Sequence, residues 1–161
     1  MAIDAFIQFE PAVKGESIAK GMEGMIDVMS WSWGMSQSGT THMGTGGGSG
    51  KVSVQDLSFM KKVDASSPNI ITKCCTGEHF EKCTLKLRKS GATPLEYLII
   101  EFEEVLIASV SVGGGAGDDI ITENVSINFA RFHYKYKKQL KDGSGDAEIA
   151  SKYDIAKNTQ D

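Results

Sequence analysis

Arg131-Phe132-His133-Tyr134-Lys135-Tyr136-Lys137 sets a basic side chain at every odd position and an aromatic ring at every even one. A period of two belongs to a strand whose two faces meet different surroundings, and a helix does not produce it. The pattern recurs upstream. Val125, Ile127 and Phe129 alternate with Asn124, Ser126 and Asn128, and Cys83, Leu85 and Leu87 alternate with Lys82, Thr84, Lys86 and Arg88. Lys51 to Phe59 and Ala2 to Phe9 alternate as well, and a strand from Ile26 places Met29, Trp31 and Trp33 on one face. Tyr97 to Val112 is long and rich in β-branched residues, and a last short strand is expected around Tyr153 to Ala156. Against these strands stands one helix signal. Ser66-Ser67-Pro68 offers a serine N-cap with proline in the first turn, and Gly77 offers a stop, so a short helix is predicted through Cys75. Many strands with a lone helix predict a mainly β fold: an antiparallel barrel of two sheets with one short flanking α-helix and an extended glycine-rich hairpin loop.

The length of 161 residues fits a single domain, 1–161. Such a domain buries roughly 68–70% of its unfolded surface and needs no disulfide or metal to hold a core. With 17 basic and 21 acidic residues the net charge is −4, which disfavours a nucleic-acid partner. The longest apolar run, Tyr97 to Ile100, falls far short of the roughly 18 residues of a membrane helix, so no membrane insertion is expected. Met1 to Glu10 lacks the basic start, apolar stretch and cleavage site of a signal peptide. The chain is therefore expected to be made in the cytoplasm, and any export to proceed without a classical signal. Cys74, Cys75 and Cys83 cannot all pair in one chain, and an ordinary bridge between neighbours is strained, so reduced, partly buried thiols are predicted.

Glycine is the compositional outlier, at 18 of 161 residues, about 11% against a usual share of about 7%. Eleven of the eighteen fall in two stretches, Gly34–Gly50 and Gly113–Gly117. From Val28 to Gly50 there is no Asp, Glu, Lys or Arg, which suits a hairpin that packs on something better than a solvated linker. Gly44 to Lys51 resembles a phosphate loop superficially, but Thr45 and Val52 occupy the positions of an essential glycine and the magnesium-binding hydroxyl. Gly114 to Thr122 fits a calcium nonapeptide, yet such repeats bind between stacked copies and one copy is present. Cys74, Cys75, His79 and Cys83 lack the paired spacing of a zinc site. No metal or cofactor is expected. Glu101 and Glu103 share one strand face at a glycosidase-like separation, which keeps a small stand-alone hydrolase as an alternative. No Gly-x-Ser-x-Gly or Cys/His arrangement accompanies them. The basic strand face, continued by Lys138 and Lys141, suggests either a charged partner or a solvated surface. Residues alone thus describe a non-catalytic β-domain with self-association loops.

Several segments, taken in order, resemble the haemolysin co-regulated protein (Hcp) family across essentially the whole chain. They are Lys14-Gly15-Glu16-Ser17, Ile26 to Gln37, His42-Met43-Gly44, Lys51 to Phe59, Ser67-Pro68-Asn69, Gly77-Glu78-His79, Glu96 to Ile100 and Glu123-Asn124-Val125. The resemblance implies a structural, secreted type VI secretion protein with no active site. Its expected assembly is a homohexameric ring that stacks into the inner tube. The partners implied are further copies of itself, a tube-tip spike protein, a contractile sheath and small effector proteins in the ring lumen. On this reading Met35, Gln37, His42, Met43, Gly46, Gly48 and Lys51 meet neighbouring copies or rings. Gly113, Gly115, Asp118 and Asp119 lie near a junction or the lumen, and Arg131, Lys135 and Lys137 face the sheath or a neighbouring subunit.

Overall fold

A computed structural model describes residues 2–38, 51–91 and 94–160. Its elements run β1 (Ile3–Glu10), β2 (Ile26–Val28), β3 (Ser30–Ser32), β4 (Met35–Gln37), β5 (Val52–Val54), β6 (Leu57–Lys62), α1 (Ser67–Thr76), β7 (Phe80–Lys89), β8 (Leu95–Gly113), β9 (Thr122–Asn128), β10 (Arg131–Gln139) and β11 (Gly145–Asp154). Every ladder is antiparallel. The fold is mainly β with one helix, as the period-two pattern implied.

Two sheets share β8. Its first half pairs with β7 and β10, giving one sheet in the order β2-β1-β7-β8-β10-β11; its second half pairs with β9, giving a second in the order β8-β9-β6-β3. The strand changes sheet at Glu104, where φ is +53°, and a register shift follows between Ile107 and Ser109. Such irregularities bend a strand and re-aim its side chains. On the other side the chain from β2 to β3 joins the two sheets, with Met29 N–H donating to Met60 O at 2.8 Å. Among the described residues no continuous ladder closes the barrel there.

Inward-facing residues fill the space between the sheets. Ile7, Phe9, Leu57, Phe59, Leu85, Ile100, Phe102, Val125 and Ile127 are all buried, and α1 adds Ile70. Trp33 covers one end, edge-on to Phe102 at 5.4 Å and Phe132 at 4.9 Å, while its Nε1–H donates to Gln55 O at 2.9 Å. A smaller cluster of Phe6, Met22 and Met25 sits on the opposite face of β1. The segment that supplies it crosses close to the sheet: a Cβ on Gly15 would lie 2.4 Å from Met25 O.

Three expectations need correction. The strand predicted from Ile26 is three short strands in three ladders, broken at Met29 and at Trp33-Gly34. The last strand is Gly145–Asp154, ten residues, ending where a short one was expected to begin. The serine cap also differs. Ser66 occupies the N-cap but makes no side-chain bond to the helix; its Oγ and N–H both donate to Asp64 Oδ1. The helix stop at Gly77 is as predicted, with φ +72° and its N–H donating to Lys73 O.

Candidate assembly surfaces

The base of the glycine-rich hairpin is a two-stranded ladder in which Met35 pairs with Val54, Ser36 with Ser53 and Gln37 with Val52. Met35, Gln37 and Lys51 are exposed. His42, Met43, Gly46 and Gly48 lie outside the described residues. A groove runs between this ladder and the end of β11, lined by Met35, Gln37, Val54, Phe132 and Tyr153. It places the hairpin root next to the strand that carries the basic face.

The second glycine stretch is the connection between β8 and β9. Gly113 ends β8 opposite Thr122; the turn is held by Gly115 N–H donating to Asp118 Oδ2 and by Asp118 N–H donating to Gly115 O at 3.1 Å. Gly117 has φ +96°, a conformation that favours glycine. All residues from Ser111 to Ile121, Asp119 included, are exposed.

On the outer face of the first sheet the strands carry alternating charge. One row across five strands reads Glu10, Lys82, Glu103, Arg131, Asp154, the last of them buried. Arg131 donates to Glu103 at 3.0 Å and lies 3.3 Å from Glu104; Lys135 donates to Glu101 at 2.7 Å, with Lys82 at 3.7 Å. Lys137 sits opposite Glu148 of β11. Partial burial pushes the Glu101 carboxyl up, but the Lys135 hydrogen bond and charge, then Lys82 and His133, outweigh it and hold the group below the usual carboxylate range. A general acid needs the opposite shift. The two carboxylates flagged in the sequence are therefore the anionic half of a paired surface.

The outer face of the second sheet is of another kind. Ser32, Ser58, Ser126 and Ser109 form a row across four strands, and Ser30, Met60, Asn124 and Ser111 form the next. Neither row carries a charge, and Ser58 Oγ lies 3.1 Å from Ser126 Oγ. Sequence reasoning passed over this surface. Its signal is a small or uncharged residue, mostly serine, at alternate positions of four strands, which shows as rows only when the register is known.

A buried charged cluster was missed as well. Lys61 has no exposed surface and Glu123 has 1%. They pair side by side on β6 and β9, with Lys61 also donating to Lys62 O at 2.9 Å and Ser67 Oγ at 3.1 Å, and Ser67 donating to Glu123 at 2.6 Å. Asp64 completes the cluster, 3.1 Å from Lys61. The cysteines stand apart from one another's chemistry: all three are free, Cys75 exposed, Cys74 half-buried and Cys83 buried, where burial pushes its thiol up.

The segments that resembled a family have structural duties on these surfaces. Gly15 gives the close approach to Met25, Glu16 accepts from Ala65 N–H at 2.7 Å, and Gln55 and Trp33 lock the hairpin root. The family model described as "Type VI secretion system effector, Hcp" matches residues 6–136. Protein hcp1 of Pseudomonas aeruginosa is 49% identical over 162 residues, covering 99% of each chain. The chain belongs to the Hcp family. Among solved Hcp structures, Hcp1 from Salmonella typhimurium shares 33% identity at a TM-score of 0.81, with all of both chains covered. A type VI secretion system effector from Yersinia pestis shares 29% at 0.77, covering 94% of this chain and 100% of that one. A type six secretion system protein at 23% identity superposes with a TM-score of 0.93 and shows the same fold. This Hcp is a protein of type VI secretion.

Proposed function

We propose that this chain is the structural, secreted subunit of a type VI inner tube. Six copies close into a ring, rings stack into a tube, and a contractile sheath drives the tube with its spike tip out of the cell. The observation that carries the reading is the 49% identity to Protein hcp1 over 99% of both chains. The surfaces support it. A ring requires two different, complementary patches on each subunit, and stacking requires two complementary ends. The hairpin root at Met35–Gln37 is exposed and uncharged, and the Gly113–Asp119 turn is exposed with its charge confined to Asp118 and Asp119; both suit ordering against another copy. The uncharged serine rows of the second sheet suit a lumen wall that shelters small effectors without holding them by charge. Arg131, Lys135 and Lys137 face outward, toward the sheath or a neighbour. The chain works as scaffold and carrier rather than as an enzyme.

Size-exclusion chromatography with light scattering, followed by negative-stain microscopy, tests the ring. The expected species has about six times the 17.4 kDa chain mass and an annular image. A monomer at every concentration up to the solubility limit would overturn the proposal.

A further inference from the structure

The β8–β9 turn and α1 are distant in sequence, yet both are tied to the end of β6. Lys61 and Lys62 pair with Glu123 and Thr122 in the ladder, and Val63 N–H extends the pairing by donating to Ile121 O at 2.9 Å. Four residues later α1 begins, and its first residue, Ser67, reaches back into the same cluster. Ser67 Oγ accepts from Lys61 Nζ and from Asp64 N–H at 3.0 Å, and donates to Glu123 Oε1. The connection between them is held from outside by Glu16, which accepts from Ala65 N–H. One fully buried ammonium thus has partners on β6, β9, α1 and the segment joining β6 to α1.

That arrangement restricts how the molecule opens. Peeling away the start of β9 removes Glu123 and leaves Lys61 and Ser67 facing a broken cluster. Lifting the first turn of α1 removes Ser67 and leaves the Lys61–Glu123 pair short of a hydrogen bond. Either movement exposes or strands buried polar groups that the other element was satisfying. Elements that share such a cluster open together as one cooperative unit, whereas the turn itself, wholly exposed, has little of its own to resist opening. The Glu123 Oε2 atom is already buried without a partner, so the cluster carries one unmet acceptor before any further bond is lost.

We infer that α1 and the β8–β9 hairpin end form a single opening unit, locked by the Lys61–Glu123–Ser67 cluster. Contact at the exposed turn and order in the helix are then linked, and linkage between two sites is reciprocal. Where the turn meets a second copy, as in the proposed tube, that contact stiffens α1; the link itself holds in an isolated subunit and does not depend on the tube.

Residue-resolved hydrogen exchange on the full chain tests it from both sides. Ser67→Ala loosens the helix side. It is expected to speed exchange about tenfold at the Val63 amide and in the ladder from Ser111 to Glu123, the size set by one buried hydrogen bond left unmade. Gly117→Ala strains the turn at a positive φ and is expected to speed exchange within α1. Amides of β1 and β7 keep their protection in both. Ser67→Cys, nearly isosteric but a weaker donor, replaces Ser67→Ala if that variant fails to fold. Changes confined to the mutated element, or a uniform acceleration that includes β1 and β7, would overturn the inference.

Discussion

Lys61 is the residue on which the second sheet and the helix depend most. Its ammonium is wholly buried, and removing one member of a buried ion pair leaves the other uncompensated. Lys61→Ala is expected to cost about 3–5 kcal/mol, read from urea denaturation, while Lys61→Met with Glu123→Leu recovers most of the loss because neither charge then remains. Gly15 is constrained by space. Gly15→Ala puts a methyl against Met25 O, a backbone atom that cannot swing aside, and overpacking of that kind costs about 1–3 kcal/mol in the same measurement. Glu101 brings a pH dependence. Its folded carboxyl is depressed mainly by Lys135, after burial is overcome, so it contributes stability that is complete above the ordinary carboxylate range and lost as pH falls through the folded value. Glu101→Gln is expected to flatten the acid limb of a stability-against-pH profile and leave the neutral region sloping as before. Lys61 and Glu123 were legible in principle. Lys61 shares parity with Leu57 and Phe59, and Glu123 with Val125 and Ile127, so two opposite charges stood at core positions. That they face each other follows from register, which strand periodicity does not supply.

At the scale of elements, α1 shows how much a short sequence specifies and what it omits. Pro68 and Gly77 set its limits, and both signals act locally. Gly77→Ala forces a side chain into the left-handed region and is expected to cost about 1–2 kcal/mol, measured as a drop in urea midpoint. The serines at the N-terminal end look outside the helix: Asp64, two residues upstream in the connection, takes the Ser66 hydroxyl, and Glu123 of β9 takes that of Ser67. The run from Ile26 to Gln37 conceals its breaks for a related reason. Parity continues through Met29, Trp31 and Trp33 while the chain moves from the edge of one sheet to the edge of the other and then to the hairpin. Periodicity reports which way side chains point and is silent on which strand lies alongside. β11 escaped notice because it is an edge strand with eight exposed residues in succession, so no buried face imposes alternation on its sequence.

For the whole molecule, the family and the mainly β fold were legible because many weak segments agree in order and spacing, whereas the assembly surfaces depend on which exposed residues are left unpaired. The outer charged face illustrates the difference. Read as a stripe, Arg131, Lys135 and Lys137 offer an anionic partner three cations, with His133 among them. In the folded chain Arg131 and Lys135 are matched by Glu103, Glu104 and Glu101, and exposed pairs of this sort add little stability and leave little net field. Reversing Arg131 or Lys135 therefore breaks contacts within the subunit as well as any contact outside it, and a loss of secretion would not distinguish the two. Lys137 is the cleaner probe, since it lies beyond the rows that β10 pairs with β8 and faces Glu148 across the β10–β11 ladder instead. Lys137→Glu is expected to leave ring mass and urea midpoint unchanged and to reduce export of the protein into the medium, measured by immunoblot of culture supernatant. Shortening the segment between Gln37 and Lys51 is expected to do the reverse at the level of assembly, with rings retained in light scattering and stacked tubes lost under the microscope. Normal export of Lys137→Glu would remove the sheath role from the basic face, and intact tubes from the shortened hairpin would remove the stacking role from the glycine-rich segment.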